Sequence, residues 1–186
     1  MEKVTLNKDM KLSEHLASPS EAALSHSSKL DGLRLSPHFT LGELTKTSYK
    51  TEDQNIPSRV AIDNLKNLCE NWLEDLRYSY NTLYSGDCPQ QEAPLVINSG
   101  YRSPEVNKRV GGSPTSNHLT GCAVDIRVAG FEQAIRYASI LLDISDGTKR
   151  DFDELFIERN SSGSHWIHFA VRPKDNRRKS SLIIAK

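Results

Sequence analysis

Apolar residues recur at helical spacing in the first half of the chain and predict a long helix from Pro57 to about Arg77. Its inward positions are Ala61, Leu65, Leu68, Cys69, Trp72, Leu73 and Leu76. A shorter helix is expected to begin after Thr40, because Glu43 three residues later completes a capping box. The polar stretch 79–93, which contains Gly and Pro, predicts a loop.

The second half changes to short apolar runs with an alternating pattern, which is typical of strands. These runs are PLVINSG, CAVDIRV, ELFIE and HWIHFAV, and the last two are joined by a hairpin loop, RNSSGS. Ser103 and Pro104 predict the start of a brief helix through Val110. A further helix is expected from Phe131 to Leu142, with inward positions at Phe131, Ala134, Ile135, Ala138 and Leu141 or Leu142. Together the runs predict an α+β fold with helices packed on a small antiparallel sheet.

The ends of the chain are polar. Residues 1–35 are rich in Ser, Lys and His and predict a loosely attached tail. We expect one folded domain over residues 36–175, followed by a basic tail over 176–186 that frays. A length of 186 residues, with 37% hydrophobic and 26% charged residues, suits one soluble domain.

Charge and hydropathy exclude some classes of function. Lys plus Arg equals Asp plus Glu, at 24 each, which argues against a nucleic-acid partner bound on a large basic surface. No apolar run approaches the roughly 20 residues of a membrane span, and the polar N-terminus lacks a signal peptide. We therefore expect synthesis in the cytoplasm. The three cysteines are widely spaced and predict free thiols, and the oligomeric state stays open.

Three polar residues stand in unusual places. Asp125 and His168 are embedded in apolar strand patterns, and His118 ends a loop rich in Gly, Ser and Pro. A buried carboxylate is costly without a partner or a metal. Two imidazoles and one carboxylate form the ligand set of a catalytic zinc site. From the residues alone, a shared metal site and separate structural roles for the histidines both stay open.

The sequence around them is more specific. It reads S-x-H-x-x-G-x-A-x-D, spelled by Ser116, His118, Gly121, Ala123 and Asp125, and HWIH follows about 40 residues later. This pattern resembles the zinc D-alanyl-D-alanine carboxypeptidases, the M15 type of peptidase that includes phage endolysins. Vancomycin-resistance dipeptidases and the hedgehog signalling domain share that scaffold. The resemblance covers roughly residues 36–172, including FTLGELTKT and INSGYRSPEVNKRVGGSPTSNH.

The resemblance implies a hedgehog/DD-peptidase-like fold and one zinc ion bound by His118, Asp125 and His168. It also implies that Arg102, in SGYRSP, holds the substrate and stabilises the scissile carbonyl. Ser116 is expected to bond a ligand or the substrate, or only to form a turn. We expect Gly121 to allow a tight passage into the strand, where a side chain could crowd the metal.

Two residues qualify as the general base. His165 precedes His168 by three residues, where the carboxypeptidase branches carry Asp or Glu. Glu158 ends the preceding strand, where hedgehog-like members carry a comparable Glu. If the hairpin loop has five residues, Glu158 pairs with Trp166 and shares a sheet face with His168, whereas His165 faces away. This geometry favours Glu158 as the base and leaves His165 a supporting role.

The leading hypothesis is a zinc peptidase that hydrolyses peptidoglycan stem peptides, as a carboxypeptidase or as an endolysin-like endopeptidase. Such an enzyme would reach the cell wall after release from the cell. The alternative is a catalytically weak or inactive zinc-binding module of the same fold, acting in cell-wall or protein binding. A fold without metal, in which the histidines are structural, is the least favoured.

Overall fold

The alternating runs of the second half pair into one five-stranded sheet with the order β1-β2-β4-β3-β5. The strands are β1 (Ile97–Ser99), β2 (Ala123–Arg127), β3 (Glu154–Arg159), β4 (His165–Ala170) and β5 (Lys179–Ile184). The computed structural model describes residues 32–84 and 92–184. Over these residues the chain is α+β, as the sequence predicts.

The described residues form five α-helices: α1 (Leu41–Thr45), α2 (Arg59–Leu68), α3 (Glu74–Tyr84), α4 (Pro104–Arg109) and α5 (Phe131–Thr148). A π-helical turn, Cys69–Leu73, joins α2 to α3, and a 3₁₀ helix, Asn117–Thr120, precedes β2. The predicted capping box of Thr40 and Glu43 is present at α1, and Ser103 caps α4 with Pro104 in its first turn.

Four local expectations are wrong. The sheet is mixed rather than antiparallel, because the chain reverses once after β4 and lays β5 parallel to β3. Residues 179–184 of the predicted basic tail therefore pair with β3 instead of fraying. Helix α3 continues through Tyr84, where a loop was expected, and residues 85–91 of that loop lie outside the described residues. Helix α5 extends six residues past Leu142, to Thr148.

Burial on α5 also departs from the predicted pattern. Phe131 and Ile135 are 43% and 48% exposed, whereas Tyr137 and Ile140 are buried beside Ala134 and Leu141. At the other end of the domain, Leu35 belongs to the core, so order begins before the predicted boundary at residue 36. The rest of the predicted N-terminal tail, residues 1–31, lies outside the described residues.

One face of the sheet is apolar and carries the helices. Val124, Ile126, Ile167 and Phe169 are fully buried on this face. The ring of Trp72, from the π-helical turn, packs 5.1 Å from the ring of Phe169. Helix α5 contacts β3 and β4, and α3 contacts α5, so the helices fix the sheet from behind. This packing removes the apolar positions of each strand from water and leaves the alternate positions free for polar residues.

The opposite face holds rows of polar side chains set by the strand register. Asp125 on β2 pairs with His168 on β4, and His168 pairs with Phe156 on β3. Two residues along the strands, Trp166 pairs with both Arg127 and Glu158. Because side chains alternate with period two, both rows project from the same face. None of the helices in the described part of the chain is long and apolar enough to cross a membrane.

Asp153 connects the start of β3 to the segment before β5. Its fully buried carboxylate accepts hydrogen bonds from Arg177 Nε at 2.7 Å and from Asn117 Nδ2 at 2.8 Å. Burial alone would raise the pKa of Asp153, but the hydrogen bonds from Arg177 and Asn117 outweigh it and lower the pKa to about 2. The charged carboxylate therefore stabilises the folded state.

We predict that Asp153→Asn lowers the free energy of unfolding by about 2 kcal/mol at neutral pH. Because the folded-state pKa lies below the ordinary value of 3.8, the stabilisation is present above that value and is lost as the pH falls toward about 2. Urea unfolding between neutral and acidic pH would measure it. The matched control is Asp146→Asn, an exposed partner of Arg178, which we expect to change stability by less than about 1 kcal/mol. An equal acid dependence in wild type and Asp153→Asn would contradict the assignment.

Candidate metal centre

His118 is held by a short turn with a defined cap at each end. Ser116 Oγ accepts a hydrogen bond from His118 N at 3.3 Å and caps the 3₁₀ helix, so the described contacts of Ser116 are those of a turn former. Gly121 ends the helix in the left-handed region, with φ 70°. The ring Nδ1 of His118 lies 2.6 Å from Gly100 O. Since a carbonyl only accepts, Nδ1 carries a proton, and Nε2 is the ring nitrogen that faces Asp125.

Two glycines allow the chain to approach closely around this histidine. A Cβ on Gly121 would lie 2.3 Å from Ala61 O of α2. A side chain at this position is therefore excluded by the helix, whereas sequence reasoning expected it to crowd the metal. A Cβ on Gly100 would lie 2.2 Å from Leu44 O of α1. Gly100 can therefore press against α1 while its carbonyl fixes the ring of His118.

Asp125 lies between the two histidines. Its Oδ1 is 3.4 Å from His118 Nε2 and 3.0 Å from His168 Nδ1. The two imidazole rings lie 5.1 Å apart, and Phe156 stacks on the ring of His168 at 5.7 Å. His118, Asp125 and His168 are only 2%, 8% and 9% exposed. Residues from the 3₁₀ helix, β2 and β4 thus bring their donor atoms to one buried point.

The charges in this cluster favour a cation. Burial alone would raise the pKa of Asp125, but His118 and His168 hold it well below its usual range. Burial would lower the pKa of His168, but its hydrogen bonds to Asp125 and Glu154 raise it to about 9. Without a metal, His168 therefore carries a proton at neutral pH. A metal ion must displace this proton, so metal affinity should rise with pH.

The donor set fits a zinc ion. One atom from each of His118, Asp125 and His168 lies within 4.8 Å of the other two, a spread compatible with shared coordination. Two nitrogens and one carboxylate oxygen suit zinc and leave a fourth position for water or substrate. The second nitrogen of His118 is already engaged by Gly100 O, which orients the ring as metal-bound histidines require.

Arg102 lies directly beside the cluster, where sequence reasoning expected it. Its Nη2 donates a hydrogen bond to Asp125 Oδ2, and its Nε donates to Ser99 Oγ at 2.8 Å. Its Nη1 makes no hydrogen bond with the part of the chain that the structure describes. The guanidinium thus orients a ligand carboxylate and keeps one N–H pair for another partner.

A sequence model of the family described as peptidase M15 matches residues 37–149, more than half of the chain. The chain belongs to the peptidase M15 family. The match contains Arg102, Ser116, His118 and Asp125 and ends before β3. A comparison with curated proteins gives no match.

His168 and both candidate bases of this M15 chain lie beyond the matched residues, so their positions come from the structure alone. Glu158 pairs with Trp166 and shares the polar face with His168, in the register predicted from a five-residue loop. Trp166 is the cross-strand neighbour of Glu158 on this face. Burial raises the pKa of Glu158, and the nearby charge of Asp125 raises it further, while His168 and Trp166 partly oppose this shift.

His165 lies on the other face of the sheet. It is the first residue of β4, an odd step from His168, and its ring packs 5.3 Å from that of Phe131 on α5. Strand alternation therefore directs the imidazole toward the helices. As a catalytic residue, His165 has a poor position in this M15 chain.

Sequence reasoning missed Glu154. Its Oε2 lies 3.3 Å from His168 Nε2 and accepts a hydrogen bond from Asn117 Nδ2 at 3.0 Å. Arg177 Nη2 contacts the other oxygen, Oε1, at 2.7 Å. Glu154 therefore accepts a hydrogen bond from Nε2–H of His168, which leaves Nδ1 of the ring facing Asp125. The sequence offered one signal for this contact: strand alternation places Glu154 on the same face of β3 as Glu158.

We predict that Glu154→Gln weakens zinc binding about tenfold, because a weaker acceptor orients His168 less firmly and lowers its basicity. The dissociation constant would be measured with a competing chelator above pH 9, where His168 has already lost its proton in the metal-free protein. The difference then reports ligand strength and not proton competition. Glu70→Gln, in an exposed pair with Lys66, is the control and should bind zinc like the wild type. Equal affinity in all three proteins would remove Glu154 from the centre.

Proposed function

We propose that this M15 chain is a zinc-dependent peptidase that hydrolyses peptide bonds in the stem peptides of peptidoglycan. The observation that carries the proposal is the meeting of His118 Nε2, Asp125 Oδ1 and His168 Nδ1 at one buried point on the polar sheet face. Membership of a peptidase family supports the reaction class. The stem-peptide substrate rests on the sequence resemblance to carboxypeptidases and phage endolysins.

His118, Asp125 and His168 would hold the metal, and a neighbouring group orients each of them. His118 and His168 offer one nitrogen each, because Gly100 and Glu154 engage the other. A zinc ion bound there would supply Lewis acidity, which polarises a carbonyl and acidifies water. Arg102 fixes the second oxygen of Asp125 and so keeps the carboxylate in its orientation.

Glu158 is the proposed general base. It lies on the face of the metal centre, half-buried, with a pKa raised by burial and by the charge of Asp125. A carboxylate of raised pKa can take a proton from the attacking water and give it to the leaving amine. The strand register places Glu158 beside Trp166 and two residues along β3 from Phe156, the cross-strand neighbour of His168.

Arg102 is the proposed electrophilic residue. The attack of water converts the planar carbonyl into a tetrahedral centre with a negative oxygen. The free Nη1 group of Arg102 can donate to this oxygen, and the side chain is already fixed by Asp125 and Ser99. A donor that needs no reorientation stabilises the transition state more than the ground state.

A second candidate is a zinc-binding module with little or no peptidase activity. It is favoured by one observation, the orientation of His165 toward Phe131 instead of the metal centre. Position 165, where the carboxypeptidase branches carry Asp or Glu, then supplies no general base in this chain. In this case activity would depend on Glu158 alone, and the chain could bind wall peptides without cleaving them.

We predict that the purified chain contains about one zinc ion and releases new amino groups from stem peptides ending in D-Ala-D-Ala or from cross-linked muropeptides. Elemental analysis and mass spectrometry of the products would measure both. Free D-alanine would identify a carboxypeptidase, and separated stems would identify an endopeptidase. Removal of zinc by a chelator should abolish release, and added zinc should restore it. A fully loaded protein without any release would support the binding module.

The general base can be tested separately. We expect Glu158→Gln to lower kcat by about 10²- to 10⁴-fold without loss of zinc, because the amide cannot accept the proton. His165→Ala should retain kcat within a few-fold, since that imidazole lies on the opposite face. Zinc content is measured on each variant. Unchanged turnover in Glu158→Gln, or a larger loss in His165→Ala, would reverse the assignment.

A further inference from the structure

A cavity of about 420 Å³ adjoins the metal centre on the β1 side of the sheet. Its lining comes from residues 46–49 after α1, from β1 and the residues that follow it, from α4 and the residue after it, and from the end of β2. Ser99 and Arg102 belong to both places, because they line the cavity and are bonded to each other beside Asp125. The volume lies in the range of ligand sites.

The charges that line the cavity have one sign. Lys46, Arg102 and Arg127 are cationic, and none of the described residues that line it is acidic. Within the described part of the chain, Lys46 and Arg127 form no ion pair, and Arg127 Nε only contacts the amide oxygen of Asn98 at 3.1 Å. The whole chain has a formal net charge of zero, so this is a local feature. Unpaired cations around one cavity favour an anionic ligand.

The rest of the lining suits a peptide. Ile97, Val106 and Val110 provide an apolar wall. The hydroxyl groups of Thr47, Ser48 and two tyrosines can donate and accept hydrogen bonds. An apolar wall with a few polar groups matches small apolar side chains joined by amide bonds and does not match a bare inorganic anion.

The position of the cavity agrees with the proposed reaction. The strand order places β1 at one side of the metal ligands on β2 and β4, and it places Glu158 on β3 at the other side. A peptide whose scissile bond lies at the metal centre would therefore cross the strands, with one flank in the cavity and the other toward Glu158.

We propose that this cavity binds a carboxylate-bearing part of the substrate peptide through Lys46 and Arg127. The inference rests on the proposed function and narrows its substrate class to peptides with a free carboxylate beside the scissile bond. A stem peptide offers two such groups, the α-carboxylate of a γ-linked D-glutamyl residue and the C-terminal carboxylate. Both present the same chemistry to the cations, and the experiment separates them.

The parent probe is L-Ala-γ-D-Glu-L-Lys-D-Ala-D-Ala. Its D-isoglutamine counterpart and its C-terminal amide each lack one of the parent's negative charges. Calorimetric titration would measure their dissociation constants with the zinc-loaded full chain carrying Glu158→Gln, and mass spectrometry would verify that each peptide stays intact. We expect one of the two amidated probes to bind about tenfold more weakly, the loss of one charge-assisted hydrogen bond. The probe affected identifies the carboxylate that is bound.

Lys46→Gln and Arg127→Gln should each weaken binding of the parent peptide by a similar factor. Each should also abolish the difference in affinity between the parent and the affected amide. The matched control is Lys66→Gln, which removes one charge from the exposed surface of α2 and should leave all three affinities unchanged. All three cations lie on the surface, so thermal melting should be equal in the variants and the parent protein.

The outcomes separate this inference from the proposed function. Charge-dependent binding that disappears in Lys46→Gln and Arg127→Gln supports the cavity, even if the wild-type chain releases no product from the same peptide. Hydrolysis by the wild-type chain with equal affinity for all three probes, or with affinities that neither substitution changes, overturns the cavity and leaves the peptidase proposal intact. Failure of all three probes to bind overturns the cavity as well.

Discussion

A single buried carboxylate organises this protein. Asp125 Oδ1 lies within 3.4 Å of one ring nitrogen of each of two histidines, and Arg102 bonds the other oxygen. A carboxylate that is 8% exposed would be strongly destabilising without positive charge around it. Arg102 supplies part of this positive charge, and the rest comes from the proton on His168 or from a metal ion that replaces this proton. This requirement explains why an apolar strand can tolerate an aspartate at its centre.

The rest of the fold meets this requirement through register and close packing. The β2–β4 register places Asp125 opposite His168, and the apolar side chains of both strands are fully buried on the opposite face. A slip of one residue would exchange the polar and apolar faces. His118 comes from outside the sheet, and its position depends on the close approach of Gly100 to α1 and of Gly121 to α2. Parts of both halves of the chain must fold together before the three donors meet.

Residues on the polar face have different roles according to the strand and the position along it that they occupy. His168 has Asp125 on one side and Glu154 on the other, so its two nitrogens have different partners. Glu158 lies two residues along β3 from Phe156, which stacks on His168. On the β1 side of β2, Arg102 contacts Asp125 and also lines the cavity. A rigid sheet holds these groups at fixed spacing, as chemistry on a bound peptide requires.

The sequence by itself determined the α+β class, the capped starts of α1 and α4, the hairpin register and the three candidate ligands. Those features follow from local rules, since caps and strand alternation act over a few residues, and the ligand motif is specific enough to recognise. Only the tertiary structure decided that β5 pairs with β3, that α3 continues through Tyr84 and that Glu154 and Gly100 engage the two histidines. These features depend on contacts between residues distant in sequence, and no local periodicity records which backbone group or carboxylate will face a given imidazole nitrogen.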